Sequence, residues 1–371
     1  MPISIVVGGQ YGSEGKGKTA LHLTRSDPNV SMVVRPGGTN SGHTGYDDQG
    51  RRITLRQLPI AALREDVQVV IPAGSYIDVD LLFEEIERVG LAPERLLISP
   101  NAHVIRHHHR EAELAEGLVD DIGSTGSGTG AAVRDRISRT PLRSMAMRVL
   151  DDARLAEFVT EHLIEKMRAC LAQKKRIVIE GTQGFGLSVL HAEAWPKATS
   201  RDTTAAGFLS ETGLSPLDVD DVVMVLRTFP IRVAGDSGPL ANETTWKEIA
   251  RNAGAENDIT EFTTVTGKVR RVGRFDPGIV KEAISSNAPT RIVLNHVDYV
   301  SQGPSADVAR RGFVLGVERQ IGRSVDLIGI GPFGLVDRKD YFQAEGERRK
   351  LGSFPRGNSY EQSGRSSSQD D

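Results

Sequence analysis

The chain begins with a short apolar run that is followed at once by a glycine-rich loop carrying two lysines. Ile3–Val7 is a β-branched run typical of a buried strand, and Gly8–Thr19, GGQYGSEGKGKT, is typical of a loop that opens a helix. Backbone N–H groups, a lysine and a helix N-terminus bind phosphate oxygens in such loops. We therefore predict nucleotide binding here, on a strand–loop–helix unit. Four residues fit the pattern G-x-x-x-x-G-K-[ST], namely Gly12, Gly17, Lys18 and Thr19.

Composition argues against several classes of protein. The 371 residues hold 46 Lys plus Arg and 49 Asp plus Glu, a net charge of −3, and this balance argues against a dedicated nucleic-acid binder. The single cysteine, Cys170, excludes an internal disulfide and Cys-rich zinc sites. The sequence shows no apolar run of membrane-spanning length and no secretory pattern at its start, so we expect no membrane partner and a cytoplasmic setting.

Strand and helix candidates alternate along the chain. This alternation favours an α/β fold with a mainly parallel central sheet and flanking helices. In such sheets ligands bind at the carboxyl ends of the strands, where several glycine-rich loops fall. The predicted strands are Ile3–Val7, Met32–Arg35, Val67–Ile71, Leu96–Ser99, Arg176–Glu180, Val222–Leu226, Arg291–Asn295 and Val325–Gly329. The predicted helices include Lys18–Leu23, Val79–Val89, Arg110–Gly117, Asp152–Gln173, Thr244–Asn252 and Pro277–Asn287.

The composition of the chain changes near Gln343. Residues from there to the end are rich in Ser, Arg, Gly and Asp and poor in apolar side chains, so they cannot bury enough apolar surface to order a core. We predict a single domain with insertions over residues 1–342 and a disordered C-terminal tail over 343–371.

Two further glycine-rich loops carry polar side chains suited to ligands. Pro36–Thr44 follows a predicted strand, and its Asn40 and His43 offer directional hydrogen bonds. We predict that His43 contacts a phosphate or stabilises a transition state. Gly123–Gly130 alternates glycine with hydroxyl residues and is either a flexible linker or a phosphate site. The second interpretation is favoured by the arginines that follow, because guanidinium groups bind phosphate bidentately; they are Arg134, Arg136 and Arg139.

Three later segments also hold candidate ligands. Gln183 follows a predicted strand within Glu180–Gly184, a weak signal by itself. Residues 263–271, TTVTGKVRR, form either a solvated basic loop or a site for a carboxylate or phosphate. Asn295–Asp298 follows a strand as the base-reading N-K-x-D loop of GTP-binding proteins does. By contrast, His107–His109 has no spaced acidic or Cys partners, so we expect no metal there.

Together, these loops resemble the adenylosuccinate synthetase family. The matching residues are 12–18, 38–44, 123–130 with Arg139, 180–184, 199–205, Thr266–Gly267 with Arg270, and Gly331–Pro332, in family order. The resemblance implies a P-loop-like adenylosuccinate synthetase fold. It also implies a ligase that joins aspartate to C6 of a 6-oxopurine nucleotide after a nucleoside triphosphate has phosphorylated O6, with Mg²⁺ as cofactor. The family further implies a homodimer in which Arg139 reaches the other subunit's site.

Position 13 departs from the family pattern. The family has an Asp there that removes the purine N1 proton and touches Mg²⁺, whereas this chain has Ser13, a far poorer base. Three interpretations are open: a dead enzyme that still binds nucleotides, a conventional synthetase using IMP and GTP with another base, or a changed purine substrate. The third agrees with the phage 2-aminoadenylosuccinate synthetases, which this sequence resembles. That branch carries Ser here, takes dGMP and ATP or dATP, and supplies diaminopurine DNA synthesis in the host cytoplasm.

The resemblance implies a role for each matching residue. Catalysis would fall to Ser13, His43 and Gln183, and Mg²⁺ would lie at Ser13 and Gly42. The triphosphate would lie along Gly12, Ser13, Glu14, Gly15, Lys16, Gly17, Lys18, Gly42, His43 and Thr44. The dGMP would contact Ser13, Asn40, Ser124, Thr125, Arg139, Gln183, Thr199 and Val233. Aspartate would be bound by Thr264, Val265, Thr266, Gly267 and Arg270, and the donor base by Asn295, His296, Asp298, Gly331 and Pro332. In that last group His296 replaces the family's Lys, which favours ATP or dATP over GTP.

Overall fold

The computed structural model describes residues 2–139, 146–263, 267–303 and 306–343. The strands are β1 (Ile3–Gly8), β2 (Val30–Val34), β3 (His43–Tyr46), β4 (Arg52–Leu55), β5 (Gln68–Ile71), β6 (Tyr76–Ile77), β7 (Leu96–Ile98), β8 (His103–Val104), β9 (Arg176–Glu180), β10 (Val219–Arg227), β11 (Ile231–Arg232), β12 (Glu243–Thr244), β13 (Arg271–Gly273), β14 (Arg291–Asn295), β15 (Leu327–Ile328) and β16 (Val336–Asp337). The helices are α1 (Lys16–Ser26), α2 (Val79–Val89), α3 (His107–Ala115), α4 (Leu118–Asp121), α5 (Thr129–Ser138), α6 (Leu163–Ala172), α7 (Ala205–Thr212), α8 (Trp246–Ala253), α9 (Pro277–Asn287), α10 (Ala306–Ile321) and α11 (Arg338–Gln343).

Nine strands form one central sheet in the order β16-β15-β14-β10-β1-β9-β2-β5-β7. Neighbours pair in parallel from β15 through to β7, and only the edge strand β16 is antiparallel to its neighbour β15. A parallel sheet of this kind needs helices on both faces to cover it. The predicted α/β fold with a mainly parallel sheet is therefore confirmed.

The core consists of two apolar layers, one on each face of the sheet. Along β1, Ile5 and Val7 point into one layer and Val6 into the other, as the two-residue period of a strand requires. Helices α6, α7, α9 and α10 cover the first face, whereas α1 and α2 cover the second. Because β1 is buried on both sides, the loop that follows it starts from a rigid base.

The eight predicted strands correspond to β1, β2, β5, β7, β9, β10, β14 and β15, and all of them lie in the central sheet. The predicted helix Asp152–Gln173 is wrong in its first half, because α6 begins only at Leu163. Before it, Phe158 and Thr160 exchange backbone hydrogen bonds with Ile98 of β7, at 2.9 and 2.8 Å. This pairing with the sheet replaces the helix that the local pattern favours.

A smaller sheet, β11-β13-β12, packs with α8 around Ile231, Trp246 and Val272. No helix within the described ranges is long and apolar enough to cross a membrane. The division into one domain over 1–342 stays a prediction. Of the predicted tail over 343–371, Gln343 ends α11 and everything after it lies outside the described residues.

Candidate active site

The candidate site lies at the edge where the central strands end. Strand β1 lies between β9 and β10 in the central sheet. The strands that follow β1 early in the chain, β2, β5 and β7, lie on the β9 side, whereas the later strands β14 and β15 lie on the β10 side. Where the strand order reverses in this way, a crevice forms beyond the carboxyl ends of the strands. A cavity of about 400 Å³ opens there, lined by residues from the loops after β1, β2 and β9. Its size is within the usual range for small-molecule sites.

The first loop is held in shape by its own Glu14. Oε1 of Glu14 accepts hydrogen bonds from the backbone N–H groups of Gln10 and Gly12, at 3.2 and 2.8 Å. Oε2 lies 2.6 Å from Nζ of Lys16, and that ammonium also donates to the carbonyl of Gln183. Two amides of the predicted phosphate loop thus already have a carboxylate acceptor, and Lys16 is ion-paired within the loop.

Helix α1 starts from this loop through a tight contact with β14. Its N-cap, Gly15, has φ 95°, and a Cβ there would lie 2.6 Å from Nδ2 of Asn295. Glycine is therefore required both by backbone conformation and by space. The same Nδ2 donates to the carbonyl of Glu14 at 2.8 Å, so Asn295 fixes the loop to the neighbouring strand.

His43 is buried in an ion-pair cluster behind the cavity. Its Nδ1 lies 2.6 Å from Oε1 of Glu180, which also accepts from Nη1 of Arg35 at 2.8 Å. Nη1 of Arg35 also lies 2.5 Å from Nδ1. Because Nη1 already donates to Glu180, we assign the proton to Nδ1, directed at the same carboxylate. Burial, and next the charge of Arg35, lower the pKa of His43 to about 4, although Glu180 opposes both. His43 is therefore neutral in the free protein at pH 7, with Nε2 left for a ligand.

Ser13 lines the cavity in a left-handed backbone conformation. Its φ is 57°, a region in which Asn and Asp are commoner than Ser. Its carbonyl accepts a hydrogen bond from Nη1 of Arg227 at 3.0 Å. The backbone of position 13 is thus held by Arg227, and these contacts place no requirement on which side chain stands there.

The Gly123–Gly130 loop is organised by a residue that sequence reasoning missed, Glu113 on α3. The buried Glu113 carboxylate accepts from the backbone N–H groups of Gly128 and Gly130, at 2.9 and 2.7 Å, and from Oγ of Ser124 at 3.4 Å. These amides belong to the N-terminus of α5, the position expected to bind phosphate. A carboxylate of the chain itself already occupies it.

The side chains around α5 divide into those that reach the cavity and those that do not. Ser124, Thr125 and Arg134 line the cavity, and Oγ1 of Thr125 is buried without a hydrogen-bond partner among the described residues. Arg136 points elsewhere, donating to the carbonyl of Ala73 at 2.8 Å. Arg139 ends α5, exposed, and is not among the residues lining the cavity of its own chain.

Three predicted mononucleotide contacts lie together across the cavity. Nδ2 of Asn40 donates to Oγ1 of Thr199 at 3.2 Å, and Nε2 of Gln183 donates to the carbonyl of Asn40 at 3.5 Å. Val233 adds an apolar contact surface. This part of the cavity therefore combines amide groups for a base edge with an apolar wall.

The predicted aspartate loop is described only at its ends, because Thr264, Val265 and Thr266 lie outside the described residues. Gly267 donates its N–H to the carbonyl of Thr263 at 3.0 Å. Arg270 lines the cavity and uses Nη1 to bind Oε2 of Glu261 at 2.7 Å. The cation expected to bind aspartate thus reaches the same cavity as Ser13.

The predicted donor-base residues form a second group, against α1 and the end of β14. Nζ of Lys18 donates to the carbonyl of Gly331 at 2.8 Å, next to Pro332. Burial lowers the pKa of Lys18 to about 8, and the charge of Asp298 opposes this shift. Oδ1 of Asp298 is buried without a hydrogen-bond partner in the described part of the chain. Burial, and next the charge of Arg227, lower the pKa of His296 to about 3, so this side chain is neutral.

The cavity brings together a large share of the predicted residues. Those that line it are Gly12, Ser13, Lys16, Asn40, Gly42, His43, Ser124, Thr125, Gln183, Thr199, Val233 and Arg270. Sequence reasoning assigned no role to the buried charges that orient them, namely Arg35, Glu113, Glu180, Arg227 and Glu261. Only Arg35 and Glu180 carried a signal, because each ends a predicted strand directly before a glycine-rich loop.

The oxygen atoms at Ser13 and Gly42 suit Mg²⁺, which prefers oxygen ligands and is commonly held in part by substrate phosphates. Both residues line the cavity and neither is charged, so the phosphates would have to balance the ion. Glu14, next to Ser13 in the sequence, is ion-paired with Lys16. These residues fit an ion that enters with a nucleotide.

The expectation that the run His107–His109 lacks an acidic partner is wrong, because candidate ligand atoms of His108, His109 and Asp135 lie within 4.8 Å of one another. Nδ1 of His109 accepts from the backbone N–H of Arg106 at 2.9 Å, so its proton is on Nε2, 3.1 Å from Asp135. A protonated nitrogen cannot bind a metal, and hydrogen bonding accounts for the contact between His109 and Asp135.

Comparison with known proteins assigns the chain to a family. The family model described as adenylosuccinate synthetase matches residues 5–169 and 151–320. The adenylosuccinate synthetase of Thermococcus onnurineus (strain NA1) is 34% identical over 353 residues, covering 92% of this chain and 99% of that protein. That of Methanococcus maripaludis (strain S2) is 34% identical over 346 residues, covering 90% and 97%.

Two solved structures share the fold. The succinoaminodeoxyadenylate synthetase of cyanophage S-2L, bound to dGMP and to dATP as an energy donor, matches with a TM-score of 0.77 and 30% identity, over 91% of this chain and 95% of that one. The fully ligated adenylosuccinate synthetase of Plasmodium falciparum matches with a TM-score of 0.79 and 20% identity, over 91% and 100%, and it supports the fold alone.

The sheet and the loops beyond its strand ends define an α/β protein with a cavity sized for a small molecule, and the family match makes it a ligase that forms C–N bonds. The chain belongs to the adenylosuccinate synthetase family, whose members are purine nucleotide–aspartate ligases that use Mg²⁺.

Proposed function

We propose that this chain joins L-aspartate to C6 of dGMP, with ATP or dATP hydrolysed to ADP or dADP and phosphate. The product is 2-amino-2′-deoxy-N6-succinyladenylate, a precursor for diaminopurine DNA. The observation that carries the proposal is Ser13, which lines the cavity beside Asn40 and Gln183 where the family has an aspartate. A short neutral side chain there leaves room for the 2-amino group of guanine and places no negative charge beside it.

The structural comparison supports the same substrate. The cyanophage enzyme whose fold this chain shares at 30% identity was solved with dGMP and dATP bound. We transfer these two ligands to the present cavity as part of the proposal. The guanine edge would lie against Asn40 and Gln183, and the 5′-phosphate near Thr125, whose buried Oγ1 is without a partner among the described residues. A phosphate oxygen would provide the acceptor that this hydroxyl needs.

The reaction has two steps. The γ-phosphoryl group moves from the donor to O6 of the purine, and the N1 proton leaves through the Ser13 hydroxyl or directly to a phosphate oxygen. The amine of aspartate then attacks C6 and forms the C6–N bond as the C6–O6 bond breaks, and O6 departs as part of inorganic phosphate. When bound at Ser13 and Gly42, Mg²⁺ would neutralise phosphate charge.

His43 is suited to the transferred phosphoryl group. Glu180 fixes Nδ1 as a donor, so Nε2 is the nitrogen left to meet the γ-phosphate. In the free protein the imidazole is neutral because its pKa is lowered to about 4. Bound phosphates favour the charged form, and His43 protonated at Nε2 would then donate to the transferred group.

The donor site favours adenine in this proposal. Lys18 and Asp298 lie beside the Gly331–Pro332 turn, and the family's Lys in the base-reading loop is the neutral His296 here. The unpaired Oδ1 of Asp298 would accept from the 6-amino group of adenine. It would suit the 2-amino group of guanine equally well, so the preference for adenine rests on the neutral His296 in place of the family's Lys.

We further propose that the enzyme is a homodimer in which Arg139 reaches the other subunit's mononucleotide phosphate. Arg139 is exposed at the end of α5 and is not among the residues lining its own cavity. The test is gel filtration together with the variant Arg139→Ala, which should raise KM for the monophosphate while KM for the triphosphate stays unchanged. An unchanged KM for both would remove Arg139 from the site.

A conventional adenylosuccinate synthetase that uses IMP and GTP is the second candidate. It is favoured by the 34% identity to curated synthetases over more than nine-tenths of the chain. The two candidates differ in the purine substrate and in the donor.

One panel of assays tests the proposal. Phosphate release is measured with dGMP, GMP and IMP, each with and without aspartate, and with ATP, dATP or GTP as donor. The proposal requires aspartate-dependent turnover that is fastest with dGMP and with an adenine donor. Turnover no faster with dGMP than with IMP would overturn the substrate assignment, and turnover fastest with GTP would overturn the donor assignment.

A further inference from the structure

Glu261 lies at the base of the two antiparallel segments that carry the predicted aspartate loop. Its carbonyl accepts from the backbone N–H of Arg270 at 2.9 Å, and Phe262 pairs with Val269 across the segments. The N–H of Thr263 donates to the carbonyl of Lys268 at 2.8 Å. The backbone of Glu261 therefore fixes the position at which Arg270 emerges.

The Glu261 carboxylate joins two arginines. Its Oε1 accepts from Nη2 of Arg227 at 2.6 Å, while Oε2 accepts from Nη1 of Arg227 at 3.2 Å and from Nη1 of Arg270 at 2.7 Å. The Arg227 side chain is fully buried and that of Glu261 is 14% exposed. A buried arginine needs such a partner, because an uncompensated charge in the interior is very costly. The two arginines hold the pKa of Glu261 far below its usual range, although burial opposes them.

Arg227 continues this path to the phosphate loop. Its Nη1 also donates to the carbonyl of Ser13 at 3.0 Å. Its own backbone is paired with the side chain of Gln10, through an N–H···Oε1 bond of 2.9 Å and an Nε2–H···O bond of 3.1 Å. Three side chains thus form an unbroken chain of charge-assisted contacts that begins at Arg270, passes through Glu261 and Arg227, and ends on the backbone of Ser13.

We propose that Glu261 is a positioning residue that couples the aspartate subsite to the phosphate loop. It holds one edge of the Arg270 guanidinium so that the remaining edge faces the cavity, and through Arg227 it fixes the backbone of Ser13. This inference rests on the proposed function in one respect, the assignment of Arg270 to aspartate. Neither Glu261 nor Arg227 would touch a substrate.

The geometry predicts a coupling that works in both directions. A guanidinium is a planar group with five donors, so binding one terminal nitrogen orients the whole fork. A substrate carboxylate on Arg270 therefore meets a preorganised partner. Because Arg227 shares the same carboxylate, a shift at Arg270 is transmitted to Ser13. By linkage, if bound aspartate changes the affinity for nucleotide by some factor, bound nucleotide changes the affinity for aspartate by the same factor.

The experiment compares the wild-type chain with Glu261→Gln, Glu261→Asp and the control Glu243→Gln. Glu243 is matched because it forms an ion pair with Arg271, the neighbour of Arg270, but on a partly exposed surface. Glu261→Asp keeps the negative charge that Arg227 needs, but its carboxylate lies farther from both arginines because the side chain is shorter by one C–C bond, about 1.5 Å. It keeps the test valid if Glu261→Gln fails to fold. All four chains are assayed with whichever 6-oxopurine monophosphate the wild type turns over.

Two readouts separate positioning from general damage. We expect KM for aspartate to rise about ten- to a hundredfold in both Glu261 variants, as for loss of a charged hydrogen bond, with KM for the monophosphate changed less than threefold. The second readout is the affinity for a non-hydrolysable ATP analogue with and without aspartate. Wild type should show a clear difference between the two, and the Glu261 variants should show little.

Each outcome either supports or overturns the coupling. It is overturned if the Glu261 variants raise KM for aspartate and KM for the monophosphate equally, or if aspartate changes their affinity for the analogue as much as it changes that of wild type. It is also overturned if Glu243→Gln has the same effects as the Glu261 variants. A wild-type chain that makes no aspartate-dependent product with any monophosphate overturns the proposed function instead. The analogue-binding measurement then decides the coupling alone, since it needs no turnover.

Discussion

Nδ1 of His43 lies 2.6 Å from Oε1 of Glu180, and this contact decides which nitrogen of the imidazole can meet a substrate. Glu180 ends β9, whereas His43 begins β3 after the second glycine-rich loop. The pair thus joins two strand ends behind the cavity. It holds the imidazole in one tautomer, as carboxylate partners of functional histidines generally do.

The buried imidazole makes stability depend on pH. The pKa of His43 is lowered to about 4 by burial and then by Arg35, whereas an unfolded histidine titrates near 6.5. Between these values the unfolded chain binds more protons, so the free energy of unfolding falls as pH falls through this window. Between pH 7 and pH 5 we expect this histidine to lower the free energy of unfolding by about 2 kcal/mol. The figure is the interval of roughly 1.5 pH units from the unfolded pKa down to pH 5, multiplied by about 1.36 kcal/mol per unit.

Urea unfolding of the ligand-free protein at pH 7 and pH 5 measures this loss, with His43→Gln as the test variant. That variant should lose about 2 kcal/mol less than wild type between the two pH values. The exposed His107 supplies the control, since His107→Gln should retain the wild-type loss. An identical loss in wild type and His43→Gln would show that His43 is not buried as a neutral group.

Ser13→Asp should shift the preference from dGMP towards IMP. The carboxylate restores a base beside purine N1 and occupies the space that we assign to the 2-amino group. The φ of 57° at this position suits Asp at least as well as Ser, so folding should be preserved. We expect the ratio of kcat/KM for dGMP to that for IMP to fall at least about tenfold, or roughly 1.4 kcal/mol. A ratio that does not move would show that position 13 does not select the purine.

Glu113→Gln should damage the mononucleotide site through the loop it supports. The buried carboxylate accepts from three backbone N–H groups at the start of α5 and from Ser124, and an amide cannot accept them all. We expect a loss of about 1–3 kcal/mol in unfolding free energy and a larger rise in KM for the monophosphate than for ATP. Glu111→Gln, on the exposed face of the same helix, should change neither quantity. Equal rises in the two KM values would contradict the assignment.

Asp298→Ala tests the donor site. Oδ1 of Asp298 is buried and has no hydrogen-bond partner among the described residues, so removal of the carboxylate should not lower the free energy of unfolding. We nevertheless expect KM for ATP to rise about tenfold, because the base loses its acceptor, while KM for the monophosphate stays constant. An unchanged KM for ATP would mean that Asp298 does not read the donor base.

The sequence was sufficient to predict eight of the nine strands of the central sheet, because these strands are short apolar runs rich in β-branched residues. Ile3–Val7 and Arg291–Asn295 are examples of such runs, and both are buried on two faces. Helix α5 was missed because it starts inside a glycine-rich segment that favours a loop on local grounds. Its start is stabilised by Glu113, a contact between residues 15 to 18 positions apart that no local pattern shows.

The same limit applies to the candidate site. Glycines, His43 and Gln183 could be named because they stand in loops directly after strands, where ligands bind. Glu261 could not, because its role depends on Arg227, 34 positions earlier in the chain, and on the path from there to Ser13. Buried ion pairs between distant segments become visible only when the fold is known.

The Glu14 carboxylate that binds the N–H groups of Gln10 and Gly12 has one more consequence. The carboxylate satisfies two N–H groups of the loop from within the chain, so the shape of the loop is held without nucleotide. A loop that becomes ordered only on binding nucleotide loses conformational entropy at that step, whereas this loop has already lost it during folding. Calorimetric titration of the triphosphate should therefore show little of the large unfavourable entropy that accompanies ordering of a loop.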